Sequence, residues 1–247
     1  MKEKKLVIFD FDGVIYNSEP LHFKSFNFAL KSLELVITKE VYYETYCAYD
    51  DEGFFKNFLK DNEINHDDEF IRDLIKEKHS FFDENFDTET SMYHGSIGLI
   101  KELSKGYILG IGSGARREEI VRVLKREDLL SYFEEIVSSD ETSYPKPNPE
   151  TYILLLDRIN ETYQINPDEC VVIEDTTKGV DAAKDAGMKC IGITNSVDRK
   201  FLNNADKVVD DYSEITIESL NSDGSTMILS ISPSNTCCQD EIMPLIE

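Results

Sequence analysis

Basic residues are scarce in this chain: 26 Lys and Arg stand against 49 Asp and Glu, a formal net charge of −23. A surface of that sign repels phosphodiester backbones and anionic lipid, which excludes nucleic acid and membrane surfaces as partners. It does not exclude a small anionic substrate, because a local cationic pocket or a metal ion outweighs a screened global field. No Cys-x-x-Cys spacing occurs. The five cysteines, Cys47, Cys170, Cys190, Cys237 and Cys238, are odd in number with two adjacent, which reads as reduced thiols and not as a disulfide framework. Cys170 and Cys190 sit in apolar, strand-like runs and are expected to be buried. No apolar run is long enough to cross a bilayer, no internal repeat is present, and no signal-peptide cleavage pattern precedes the first apolar run. The expectation is a soluble cytoplasmic protein; a monomer is compatible with the sequence, which dictates no oligomeric state.

What is present begins at Leu6-Val7-Ile8-Phe9, an apolar run of strand length that ends in Asp10-Phe11-Asp12-Gly13. Strand periodicity of two puts Asp10 and Asp12 on one side and Phe11 on the other. Two carboxylates on one side repel and raise each other's pKa unless a cation lies between them. A hard divalent ion such as Mg²⁺, which takes oxygen ligands, relieves that repulsion. Gly13 allows a sharp turn directly after the pair.

From Ser18 the pattern becomes helical. Ser18 is the expected N-cap and Pro20 falls in the first turn, with Phe23, Phe26, Ala29, Leu30 and Leu33 at helical spacing. Further helices are expected near 38–48, 51–61 and 67–83, with Phe54, Phe55, Phe58 and Leu59 as an apolar stripe, and no strand between about 18 and 90. From Tyr93 onward strands and helices alternate. Helices are expected over 96–103, 118–130, 150–159 and 178–186, and strands over 107–112, 135–137, 170–173, 189–193 and 207–209. Gly187 follows the last helix as a stop. The continuous apolar run Cys170–Ile173 suits a parallel strand buried on both faces. Such alternation implies right-handed crossovers and an α/β, doubly wound, Rossmann-like parallel sheet, with ligands beyond the C-terminal ends of the strands. The domain reading is a catalytic core over 1–17 and 91–220 and a helical cap over 18–90, inserted after the first strand. A polar tail over 221–247 reads as peripheral or poorly ordered, with Met227–Ile231 as a candidate short strand.

Each chemically suggestive string follows an expected core strand. Gly112-Ser113-Gly114-Ala115 can bring backbone N–H groups and a hydroxyl to a phosphate at a helix start. Tyr144-Pro145-Lys146-Pro147-Asn148-Pro149-Glu150 surrounds one lysine with three prolines, a stiff mount for a charge that holds a phosphate or a carboxylate. Val171-Val172-Ile173-Glu174-Asp175 ends a strand in adjacent carboxylates, and Thr176-Thr177-Lys178-Gly179-Val180-Asp181-Ala182-Ala183 opens a helix. An isolated Glu-Asp there reads as a helix cap; together with Asp10 it completes an oxygen-only cation site.

These four strings, in this order, resemble the four motifs of the haloacid dehalogenase superfamily, over roughly 4–17 and 91–215. The helical insert and Asp12-Gly13-Val14-Ile15-Tyr16-Asn17-Ser18-Glu19 resemble the branch of phosphoglycolate phosphatases and β-phosphoglucomutases, with Asn17 where Asp is usual. The resemblance implies that Asp10 is a nucleophile forming an aspartyl-phosphate and Asp12 the general acid/base. It implies Ser113, Gly114 and Lys146 as phosphate-binding residues. Mg²⁺ would be held by Asp10, the Asp12 backbone carbonyl, Glu174 and Asp175. The implied activity is hydrolysis of a small phosphorylated metabolite, a phosphate monoester. A phosphosugar mutase is the alternative with the same nucleophile. A metal-free dehalogenase is disfavoured by Asp12 and the Glu174-Asp175 pair, and a non-catalytic binder by the intact motifs. In the mutases an Arg in the cap grips a second phosphate; the matching stretch, Tyr46–Phe55, has no cation and three acids. Within the cap, His22 reads either as a residue facing the site in this branch or as a packed or solvent-exposed histidine, while Arg72 and Lys78 are further candidate cations. His66, His79 and His94 show no metal spacing and read as structural, and Arg116 and Arg117 read as a solvated helix start.

Overall fold

The computed structural model describes residues 5–46 and 49–215. Cys47, the polar tail and its candidate strand Met227–Ile231 lie outside the described residues. The elements are β1 (Leu6–Phe9), β2 (Tyr16–Asn17), α1 (Glu19–Leu30), α2 (Lys39–Val41), α3 (Asp51–Asp61), α4 (Asp68–Glu89), β3 (Ser91–Met92), α5 (Ser96–Leu103), β4 (Ile108–Gly112), α6 (Arg117–Arg126), β5 (Glu135–Val137), α7 (Glu150–Ile159), β6 (Cys170–Glu174), α8 (Thr177–Asp185), β7 (Lys189–Ile193) and β8 (Lys207–Val209). Six strands form one sheet in the order β5-β4-β1-β6-β7-β8, and every neighbouring pair is parallel. The α/β, doubly wound reading therefore holds.

Alternation along β1 divides the core in two. Val7 and Phe9 pack on one side of the sheet with α5 and α6 residues such as Leu99, Ile100, Ile120 and Val123. Leu6 and Ile8 pack on the other with Tyr152, Leu155, Val180 and Ala183 of α7 and α8. The chain runs outward from β1 through β4 to β5, then returns past β1 to β6. The order reverses at β1 and β6, and a crevice opens beyond the carboxyl ends of strands at such a reversal.

Helices α1–α4 lie between β2 and β3, a two-residue antiparallel pair that matches Tyr16 with Met92 and Asn17 with Ser91. They bury an apolar core of their own, in which Phe26 stacks on Phe54 at 3.8 Å. This is the helical cap inserted after the first core strand. Three helix boundaries differ from the sequence expectation. The 118–130 helix ends at Arg126, because Asp128 takes φ +55° and the Leu129 N–H closes onto Leu124. The 67–83 helix continues to Glu89, since Phe82 and Phe86 extend its buried face. The 38–48 helix is a single α turn followed by a π-helical turn at Tyr42–Tyr46.

Candidate active site

Three adjacent strands, β4, β1 and β6, and the loop after β5 deliver the site. The backbone N–H of Asp10 donates to the Ile173 carbonyl at 3.0 Å, so the first motif is tied directly to the strand that ends in Glu174 and Asp175. On the other side, the Ser113 N–H donates to Val137 at 3.0 Å. Asp10, Asp12, Ser113, Gly114 and Lys146 all line one cavity of about 450 Å³. Gly13 makes the turn at φ +76°, and a Cβ there would overlap the Asp175 carboxylate, so the position requires glycine for two reasons.

Lys146 is the hub. Its ammonium donates to Asp10 Oδ1 at 3.0 Å, to Glu174 Oε1 at 2.7 Å and to the Gly112 carbonyl at 3.0 Å. It also lies 4.8 Å from the centre of the Tyr152 ring. Burial disfavours its charge, but Asp10 and Glu174 outweigh that and raise its pKa. Glu174 is saturated. Its Oε1 also accepts from Tyr152 Oη at 2.8 Å, and its Oε2 accepts from the N–H groups of Asp175 and Thr176 and from Thr176 Oγ1. Burial would raise its pKa, but Lys146 and these donors hold it below the ordinary value.

Asp10 lacks such support. Desolvation, only partly offset by Lys146, pushes its carboxyl up to about 6. Asp12 is pushed up to about 7, mainly by desolvation. One donor opposes that rise: Ser18 Oγ, 2.5 Å from Asp12 Oδ1. Ser18 was expected to cap α1; instead it makes no cap bond and its hydroxyl serves Asp12. Burial and the charges of Glu174 and Asp10 raise Asp175 well above the carboxylate range. Its Oδ2 accepts from Ser196, while its Oδ1 is buried with no hydrogen-bond partner among the described residues.

An orphaned buried carboxylate oxygen is costly unless something unseen satisfies it. Asp10, Glu174 and Asp175 each offer an oxygen within 4.8 Å of the others. This all-oxygen, acid-rich set fits a hard divalent cation. The Asp12 side chain is not part of the cluster, which leaves its backbone carbonyl as the oxygen that the resemblance assigns to the metal.

A second cavity of about 610 Å³ meets the first at Asp12, Tyr49, Asp50, Gly114 and Ala115. His22, the candidate to face the site, lines this second cavity, and so do Lys78, His79 and Arg116. His79 makes a structural contact between two cap helices, and Arg116 stands at the start of α6, partly exposed to solvent. His79 Nε2 donates to Asp51 Oδ2 at 2.6 Å, and Arg116 donates to Glu119 and Asp83. Arg117 does read as a helix-start residue, bonding Glu141 and the Ile136 carbonyl. Sequence reasoning missed Ser18, Tyr152 and Ser196; nothing local distinguishes them from other hydroxyl residues.

The family profile of haloacid dehalogenase-like hydrolases matches residues 7–193. A phosphorylated carbohydrates phosphatase of Thermotoga maritima is 32% identical over 193 residues, covering 77% of this chain and 86% of that protein. The fructose-1-phosphate phosphatase YqaB of Escherichia coli is 25% identical over 193 residues, covering 76% and 95%. In fold, the chain resembles CbbY from Rhodobacter sphaeroides, crystallised with phosphate. That match has a TM-score of 0.73 and 23% identity, and covers 86% of this chain and 96% of the other. The chain belongs to the haloacid dehalogenase-like hydrolases, and it is a phosphatase of that family.

Proposed function

We propose that the protein is a Mg²⁺-dependent phosphohydrolase that cleaves a small phosphate monoester through an aspartyl-phosphate on Asp10. One observation carries the reading most strongly: Asp10, held by Lys146, shares a carboxylate cluster with Asp175, whose Oδ1 is orphaned, and lines one cavity with Ser113 and Asp12. Asp10 Oδ attacks phosphorus, and the bond to the leaving oxygen breaks. Asp12, protonated when the substrate arrives, gives its proton to that oxygen. It then takes a proton from the water that attacks the aspartyl-phosphate, releasing inorganic phosphate and restoring Asp10. Lys146, Ser113 and the N–H groups around Gly114 hold the phosphoryl oxygens. Asp10, Glu174, Asp175 and the Asp12 carbonyl would hold Mg²⁺, which neutralises phosphoryl charge and orients the group. Because Glu174 already accepts five hydrogen bonds, its main contribution in this reading is to fix Lys146.

The same reading takes 1–17 and 91–220 as catalytic core and 18–90 as cap, supported by the separate apolar core of α1–α4. It places the enzyme in the cytoplasm, consistent with the buried free thiols of Cys170 and Cys190. No described helix is long and apolar enough to cross a membrane. The test is phosphate release from a panel of phosphorylated metabolites, with Mg²⁺ and with excess chelator. Full activity in chelator would overturn the metal assignment. A second assay separates hydrolysis from mutase chemistry: β-glucose 1-phosphate is supplied with Mg²⁺ and catalytic bisphosphate. Rapid formation of glucose 6-phosphate without phosphate release would overturn the hydrolase reading.

A further inference from the structure

With the phosphoryl group seated against Asp10 and Lys146, the leaving group must occupy the second cavity, which joins the first at Asp12. The charges lining that cavity are unbalanced. Beside Asp12, which is protonated when the substrate arrives, Glu19, Asp50, Asp51, Glu52 and Glu119 supply the carboxylates, and Lys78 and Arg116 are the permanent cations among its lining residues. Both cations already have anionic partners. Arg116 Nε donates to Glu119 at 2.8 Å and its terminal nitrogen to Asp83 at 2.8 Å. The buried Lys78 ammonium lies 2.9 Å from Asp51 Oδ1. It also donates to His22 Nδ1 at 3.0 Å. That bond fixes the tautomer, since an ammonium can only donate, so His22 carries its proton on Nε2. Burial and the neighbouring Lys78 keep His22 neutral, with its pKa lowered to about 3. Asp51 is ionised: burial works against its charge, but His79 and Lys78 hold it below the carboxylate range. Sitting in the first turn of α3, Asp51 therefore clamps two consecutive residues of α4 and consumes the cavity's one buried cation.

We infer that Asp51 is a specificity-determining residue that, by neutralising Lys78, leaves the leaving-group cavity net negative, so that the enzyme accepts singly phosphorylated, otherwise uncharged, hydroxyl-bearing substrates and rejects those with a second phosphate or a carboxylate. The inference rests on the phosphatase reading of this site. A second anion would meet carboxylates that outnumber the lining cations, with Lys78 and Arg116 already committed to Asp51, Glu119 and Asp83. Rejection of this kind works by repulsion against the wrong ligand and needs no special fit for the right one. Hydroxyl groups suit the same wall, because carboxylates accept from them and the neutral His22 retains a donor.

The test uses two matched substrate pairs, fructose 1-phosphate with fructose 1,6-bisphosphate and glycerol 3-phosphate with 3-phosphoglycerate. The readout is the ratio of kcat/KM values within each pair, so a general loss of activity in a variant cancels. The wild-type protein is expected to favour the uncharged leaving group by at least about tenfold. Asp51→Asn, which frees Lys78, should narrow that ratio by roughly tenfold, and adding Lys78→Met should restore the preference. Equal kcat/KM within the pairs in the wild type would overturn the inference without recourse to any variant. So would an unchanged ratio in a folded Asp51→Asn protein. Failure to release phosphate from every compound, p-nitrophenyl phosphate included, would overturn the phosphatase reading and this inference with it; release from both members alike would overturn this inference alone.

Discussion

Replacing Asp10 by Asn should abolish turnover in Mg²⁺ and make the metal-free protein more stable at pH 8. The Asp10 carboxyl is pushed from an ordinary 3.8 to about 6 because burial, with Glu174 beside it, outweighs Lys146 and the Phe11 N–H. An acid whose pKa is higher in the fold than in the unfolded chain binds extra protons when folded. Stability therefore falls as pH rises from 3.8 to about 6, and the full penalty is present above that. A separation of roughly two pKa units corresponds to about 3 kcal/mol. The amide keeps the shape and still accepts from Lys146, but the ammonium loses one charged partner, which costs about 1 kcal/mol. The net gain is about 2 kcal/mol, or roughly 5 °C in Tm for a protein of this size. Thermal unfolding of both proteins in chelator, at pH 4.5 and pH 8, measures it. The gain should be present at pH 8 and largely gone at pH 4.5. Saturating Mg²⁺ should close the gap at pH 8 by stabilising the wild type, by about 2.7 kcal/mol at a hundredfold excess over Kd. Asp10→Asn being no more stable than wild type in chelator at pH 8, or gaining equally at both pH values, would refute the electrostatic reasoning. Normal turnover by the purified variant would refute the nucleophile.

Asp12, raised to about 7, must be protonated to act as the acid, so kcat/KM should fall as pH climbs through about 7. Ser18→Ala removes the hydrogen bond that favours the ionised form and should move that limb upward; a pH profile unchanged by the substitution would count against Asp12. Gly179→Ala would drive a Cβ into the Glu174 carboxylate, so it should cost roughly 2 kcal/mol in stability and at least tenfold in activity, read by denaturant unfolding and by phosphate release. Ca²⁺, which prefers more ligands at longer distances than Mg²⁺, should inhibit competitively with Mg²⁺ in a steady-state titration.

The local sequence determined the sheet strands and the four strings at their ends. Strands such as Leu6–Phe9 and Cys170–Glu174 are short apolar runs stopped by acids, and that pattern is written in consecutive residues. It placed Asp10, Ser113, Glu174 and Asp175 at strand ends and Lys146 in the stiff loop after β5, and the parallel topology then made those ends neighbours. Helix ends were less legible. Asp128 halts α6 by a left-handed turn that Asp tolerates but does not announce, and Ser18 looks like a cap until Asp12 claims its hydroxyl. Other contacts were invisible in the sequence because their partners lie far apart along it. Tyr152 reaches Glu174, Ser196 reaches Asp175, and Asp51 reaches Lys78 and His79 across two cap helices. Such pairs have no periodicity. They exist only once packing has brought the elements together and burial has made an unpaired charge or hydroxyl costly. Sequence therefore set which groups stand at the candidate site, while the tertiary structure decided which of them keep a charge, which are neutralised, and which charges line the cavity beside them.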